Sequence, residues 1–216
     1  MNHIRQTACF IIMLLLFVPQ VSAQQLAQMK LPAPQTDIGK PVMQVLNARQ
    51  SIREYTDKKL PAQELSNLLW AAWGINRPDG RHTAPSAVNY QEIDMYVILT
   101  EGVYKYNAQA HALDPIAAGD HRKEVSDREF VYLAPVILAY VADFAKVRGG
   151  KNDANMIFTH SDAAFIGENV YLYCASQGMG TVLMGNIDRA AYGKALNINE
   201  NQFVTYSQPV GYVKSE

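Results

Sequence analysis

The stretch from Asp162 to Asn186, DAAFIGENVYLYCASQGMGTVLMGN, decides the fold class. Up to Ser176 it places Phe165, Ile166, Val170, Leu172 and Tyr173 around most of a helical circumference. That pattern predicts a helix covered on most faces, in the protein interior and at a contact with a second subunit. Gly178 stands where a helix C-cap belongs, and Thr181 to Met184 reads as a strand. The glycines Gly178, Gly180 and Gly185 nearly make a dinucleotide fingerprint, but their spacing is wrong for G-x-G-x-x-G. They also follow a helix, whereas that motif follows a strand and opens a helix. Gly185 before Asn186 would let the backbone approach a ligand closely.

Working outward, Val42 to Ala48 reads as a short helix, and Arg49 to Tyr55 as an extended segment. Pro61 opens a second helix, the favoured place for proline, with Leu65, Leu68, Leu69 and Ala72 as its buried stripe and Gly74 at its end. Asn76 to Ser86 is a loop. Met95 to Leu99 is a strand that turns at Glu101-Gly102 into Val103 to Tyr106. Asp120 to Phe130 reads as a polar helix, Val136 to Val141 as a buried strand, Lys146 to Asn152 as a basic loop and Phe203 to Val213 as a last strand. Helices and strands are interleaved unevenly, so the pattern is α+β rather than a strict βαβ alternation.

The chain has 216 residues, 49% hydrophobic and 18% charged, which excludes a disordered polymer and fits one domain. A formal net charge of -1 gives no electrostatic case for nucleic acid. His3 and Arg5 lead into the apolar run Ala8 to Val18, followed by Val21-Ser22-Ala23. This is a secretory signal peptide over 1–23, too short to span a bilayer, so no stable membrane insertion is expected. The expectation is an exported protein, periplasmic or secreted, with an extended leader over 24–41 and a functional domain over 42–216. Of the two cysteines, Cys9 goes with the signal and Cys174 remains alone on the apolar helix, where an inert buried thiol is expected and no internal disulfide can form.

Three segments carry chemistry. In the extended Arg49-Gln50-Ser51-Ile52-Arg53, residues two apart face the same way. Arg49, Ser51 and Arg53 then present two guanidinium groups and a hydroxyl on one side, a cradle for phosphate. The same residues also suit a plain basic patch at a helix end. In Ala84-Pro85-Ser86-Ala87-Val88-Asn89-Tyr90-Gln91, the amides of Asn89 and Gln91 offer mixed donors and acceptors to one ligand edge; ordinary turn chemistry explains Pro85 and Ser86 equally well. The third is the glycine segment ending at Gly185-Asn186. Histidines at metal spacing, a G-x-S-x-G elbow and a P-loop are all lacking.

Taken in order, these segments resemble the FMN-dependent nitroreductase family. Arg49-x-Ser51-x-Arg53 is similar to its phosphate-binding motif and Ala84-Pro85-Ser86-Ala87-x-Asn89-x-Gln91 to its flavin-contacting loop. Asp162 to Asn169 with Gly178-Met179-Gly180-Thr181 resembles its central dimer helix and the loop after it, and Pro209-Val210-Gly211-Tyr212 its closing strand. Leu69 to Ile75 and Gly102 to Tyr106 look most like the SagB-type branch. The resemblance implies a nitroreductase-like fold, a mostly antiparallel sheet flanked by helices, in a homodimer with FMN at the interface. It implies that Arg49, Gln50, Ser51 and Arg53 hold the phosphate and ribityl chain. Pro85, Ser86, Asn89 and Gln91 would lie near the isoalloxazine ring, and Gly185 and Asn186 beside its reactive nitrogen. The chemistry would be carried by the flavin, taking hydride from NAD(P)H and passing it, ping-pong, to a nitroaromatic, quinone or other small acceptor. The alternatives are a non-catalytic flavin-binding protein and a SagB-like oxidase of peptide heterocycles. Glu92 stands where the family usually has proline, and only Lys214 follows the Gly-Tyr strand where relatives carry basic residues, which predicts weaker phosphate binding. An exported chain would also meet little NAD(P)H.

Overall fold

The computed structural model describes residues 26–214; the signal peptide reading lies outside them. Seven strands, β1 (Met29–Lys30), β2 (Ile93–Ile98), β3 (Gly102–Asn107), β4 (Ala112–Ala118), β5 (Val136–Asp143), β6 (Met179–Thr181) and β7 (Gln202–Tyr212), form one sheet in the order β1-β4-β3-β2-β5-β7-β6. Every pairing is antiparallel. The helices are α1 (Val42–Ala48), α2 (Ala62–Trp73), α3 (Arg122–Val125), α4 (Glu129–Tyr132), α5 (Asp153–Gln177) and α6 (Arg189–Leu196).

Strand periodicity builds three layers. Along β5, Val136, Leu138, Tyr140 and Ala142 face one core with Leu65, Leu68 and Leu69 of α2 and Ile166 and Val170 of α5. Ile137, Ala139 and Val141 face the other, with Val125 of α3, Val131 of α4 and Tyr192 and Leu196 of α6. Buried on both faces, β2 and β5 read as near-continuous apolar runs, as such strands do. Helix α5 is 25 residues long, about 37 Å at 1.5 Å per residue. Asn152 caps it by accepting the Asn155 amide at 3.0 Å, and Gly178 ends it in the left-handed conformation (φ 71°) that glycine adopts without strain.

The expected α1, α2, β2, β3 and β5 are all present, and the α+β class holds. Three local expectations are corrected, the first being the strand over Thr181 to Met184, which is instead Met179–Thr181, with Met184 only in an isolated bridge to Ser207. The helix expected from Asp162 begins at Asp153. The polar helix expected over 120–130 is two single turns, because Ser126 and Arg128 are extended. Strand β4 and helix α6 were not anticipated. Residues ahead of α1 are docked on the sheet: β1 pairs with β4 through Met29↔Leu113 and Lys30↔Ala112. The Ser66 hydroxyl donates to the Pro32 carbonyl at 2.6 Å, and the Gln35 amide donates to Asn67 at 2.8 Å. Among the described residues, no helix is long and apolar enough to cross a membrane.

Candidate functional site

Tyr171, near the C-terminal end of α5, organises the first part of the site. The segment leaving α1 runs extended across the start of β6. Ile52 turns inward, its amide donating to the Thr181 carbonyl at 2.9 Å. Its side chain fills the space beside Gly180, where a Cβ would lie 2.8 Å from Ile52 Cγ2. With Ile52 committed, Gln50, Ser51 and Arg53 are left exposed and Arg49 half-buried. The Arg49 guanidinium lies 5.3 Å from the Tyr171 ring centroid. The Ser51 and Tyr171 hydroxyls share a 2.9 Å hydrogen bond, and the Tyr171 oxygen accepts the Leu183 amide at 2.8 Å. Among the described residues neither Arg49 nor Arg53 forms an ion pair, so both charges remain available to an anion.

From Leu183 the chain runs back along α5. Gly167 admits it: a Cβ there would lie 2.9 Å from Leu183 Cδ1. Met184 exchanges both backbone hydrogen bonds with Ser207 at 2.8 and 3.0 Å. Gly185 and Asn186 follow, exposed, with the Gly185 Cα backed by Tyr206, whose Cε1 would sit 3.3 Å from an added Cβ. Tyr206 meets His160 edge-on at 5.4 Å between centroids. A hollow of about 430 Å³ opens there between Met156, Ile157, His160, Ala164 and Tyr206. The segment from Tyr171 through Leu183 and Met184 thus links the Arg49, Ser51 and Arg53 cluster to Gly185 and Asn186 along the chain.

The loop from Ala84 to Gln91 lies apart from these residues. Val88, Asn89 and Gln91 all have positive φ, at 54°, 57° and 49°. Such conformations cost about 1–3 kcal/mol each outside glycine and persist only where surroundings impose them. Here the restraint is polar. The Ala87 amide donates to Asp162 Oδ2 at 2.8 Å, the Gln91 amide to Ser86 Oγ at 2.9 Å, and Ser86 Oγ to Glu92 Oε2 at 3.2 Å. The result holds Pro85, Val88 and Asn89 out in solvent and Ser86 and Gln91 half-buried. Asn89 and Gln91 line a cleft of about 540 Å³ whose other wall carries Asp94 between Lys105 and Lys146, each 2.8 Å away.

Asp162 and Tyr171 are nine residues apart on α5. At 100° and 1.5 Å per residue they lie on opposite faces and about 13 Å apart along the axis. The Arg49 cluster and the Ser86 loop thus flank α5 from opposite sides. The exposed surface of α5 and α1 carries Ile157, Phe158, Phe165, Val42, Met43 and Leu46, an apolar area of the kind that marks an interface.

Beneath the loop, Glu92 and Asp162 are almost fully buried, 1% and 2% exposed. Burial pushes the Glu92 carboxyl up to about 7, with the Asp162 charge adding to it. Burial also raises Asp162, against the Ala87 amide that favours its charged form. Cys174 is buried, its thiol pushed up by desolvation, as expected of an inert side chain. Tyr171, Asp162 and Tyr206 were not singled out for the site from sequence. A tyrosine or aspartate on a largely apolar helix carries no spacing signal until the fold shows what faces it.

A profile of the nitroreductase family matches residues 46–212. A curated protein of Methanocaldococcus jannaschii, provisionally named a nitroreductase, is 30% identical over 177 residues, covering 77% of this chain and 88% of its own. A crystal structure from Ralstonia eutropha, with the same provisional name, superposes with a TM-score of 0.82 at 36% identity, covering 88% of this chain and 90% of the other. A chain of the Escherichia coli microcin synthetase complex shares the fold at a TM-score of 0.67 and 18% identity, over 85% of this chain and 77% of its own.

Proposed function

The chain belongs to the nitroreductase family, and from that premise we propose that it is an FMN-dependent oxidoreductase acting as a homodimer. Bound FMN supplies ping-pong hydride transfer from a nicotinamide donor to a small acceptor such as a nitroaromatic or quinone. The observation that carries the reading is the pair of half-sites on opposite faces of α5, one bearing unpaired guanidinium groups. The residues fit the cofactor. Arg49 and Arg53 would hold the phosphate by charge-assisted bonds, Ser51 and Gln50 the ribityl chain, and Gly185 and Asn186 would present backbone to the ring. From the partner subunit, the loop of Pro85, Ser86, Asn89 and Gln91 would close over the ring, since no one copy presents it on the same face. The cleft beside Asn89 and Gln91 has the volume of a small-molecule site and would receive the acceptor. The N-terminal reading places this work outside the cytoplasm, after cleavage behind Ala23.

The visible spectrum of the purified protein, recorded before and after adding NADH or NADPH, tests the function. A flavin spectrum bleached by donor and restored by a quinone is expected. A colourless protein that takes up no FMN would sink the cofactor reading. Bound FMN that no donor reduces and no acceptor discharges would leave the second reading, a flavin-binding protein without turnover. A third, a SagB-like oxidase of peptide heterocycles, draws on the fold shared with the microcin synthetase chain; a peptide carrying such a heterocycle bleaching the flavin would favour it.

A further inference from the structure

Under the loop, Ser86 meets two buried carboxyls, Glu92 and Asp162, that the function above does not use. Glu92 is the entrance to β2 and Asp162 comes from α5, so the cluster ties sheet, helix and loop at one point. The two carboxyls are neighbours in the cluster, and the Asp162 charge adds to the burial that raises Glu92. Asp162 Oδ2 accepts the Ala87 amide and Glu92 Oε2 accepts the Ser86 hydroxyl, but Glu92 Oε1 is buried and meets no donor. Two bare carboxylates facing each other at 1% and 2% exposure are strongly disfavoured. A proton on Glu92 Oε1 removes one charge and supplies the missing hydrogen bond, with Asp162 as acceptor.

No cation replaces that proton. Of the charged groups around the cluster, Lys146 and Lys105 are bonded to Asp94 on β2. Asp143, at the end of β5, meets Glu92 only through its backbone amide, which donates to the Glu92 carbonyl at 2.9 Å. Arg77, Arg81 and His82 line the hollow outside Ser86, and His160 on α5 is bonded to the Met156 carbonyl. None hydrogen-bonds to either carboxyl among the described residues.

We propose that Glu92 and Asp162 share one proton, and that this proton holds the strained loop from Ser86 to Gln91 in its flavin-facing conformation. Glu92 is then a positioning residue: it touches no flavin itself and acts through Ser86, whose oxygen in turn receives the Gln91 amide. When the proton leaves to solvent, the facing carboxylates repel, Ser86 and Ala87 lose their fixed acceptors, and the positive φ angles at Val88, Asn89 and Gln91 are no longer enforced. The loop is therefore ordered in mildly acidic solution and released in mildly alkaline solution.

The inference rests on the flavin reading for its consequence but not for its first measurement, amide hydrogen exchange of the purified protein between pH 5.5 and 8.5, corrected for intrinsic rates. Protection at Ala87 and Gln91 should fall as pH rises through neutrality, while protection along β5 stays constant. In Glu92→Gln, which cannot ionise and keeps an acceptor for Ser86, loop protection should be independent of pH. FMN titrations in parallel should show parent affinity weakening by at most about tenfold per pH unit above the transition, and Glu92→Gln changing only as FMN's own phosphate dictates. Constant loop protection in the parent, or the same pH dependence in Glu92→Gln, overturns the proposal. Should Glu92→Gln not fold, Asp162→Asn decides: with a single carboxyl left no facing pair of charges can form, so loop protection must lose its pH dependence, and a pH dependence like the parent's overturns the proposal. Failure of every form to bind FMN at pH 6 would count against the cofactor reading and leave the exchange result to decide the proton.

Discussion

Arg53 is exposed and forms no ion pair among the described residues, so its removal changes binding more than folding. Arg53→Ala should cost a charge-assisted contact of about 1.5–3 kcal/mol, read as FMN affinity weakened roughly tenfold to somewhat over a hundredfold with the unfolding temperature unchanged. Arg53→Lys should recover part of that, because an ammonium lacks the bidentate fork. Fluorescence quenching on the apoprotein measures both, and parent-like affinity in Arg53→Ala would return the cluster to a plain basic patch. The alternation at residues 49 to 53 was legible from sequence because an extended segment has a fixed period of two. What was not legible is why the segment stays extended: Gly180 opposite Ile52, and a tyrosine hydroxyl arriving from more than a hundred residues along the chain. The burial of Glu92 also escaped the sequence, since a glutamate next to a loop reads as solvated.

Helix α5 shows the same limit one level up. Its buried stripe runs Asn155, Thr159, Asp162, Ala163, Ile166, Gly167, Val170, Cys174, a regular helical spacing, but its first three members are polar and hide from a hydrophobicity count. The start is marked instead by the Asn152 cap. Asn152→Ala should destabilise the protein by about 1 kcal/mol, measured by urea unfolding, and Asn152→Asp should restore most of it, since the carboxylate still accepts the Asn155 amide and suits the helix N-terminus. Equal stability of all three forms would mean the first turn adds nothing. Strand β4 was missed because Pro115 argues against a strand. It is tolerated because β1 covers only Ala112 and Leu113, leaving Pro115 on the open edge, opposite Tyr104 where the register shifts. The two turns α3 and α4 carry only one buried valine each, too little to show a period.

For the molecule as a whole, the apolar surface of α1 and α5 and the divided half-sites make one prediction. Phe165→Glu should give a monomer by light scattering with secondary structure retained, and should lose tight FMN binding with the dimer. A monomer that binds FMN as well as the parent would separate the site from the interface. A second prediction concerns pH. Folded Glu92 keeps its proton to about 7, against 4.5 for the ordinary carboxyl, so the folded state binds more protons across that window. Stability should therefore fall as pH rises from about 4.5 to about 7 and level off above. Urea unfolding at pH 5 and 8 should show the drop in the parent and a smaller one in Glu92→Gln; equal drops would place the linkage elsewhere. The strand order carries a consequence in time. The chain's last strand, β7, lies inside the sheet: it is the partner of β6 and it completes β5. During synthesis, therefore, the central strand waits with one edge bare and β6 has nothing to pair with until β7 has emerged. Nascent chains ending before Gln202 should be digested readily by protease, and protection should appear only once β7 is present. A sheet that locks only with β7 stays unlocked for as long as the strands before it are being made, so whatever guards the growing chain must guard it until then.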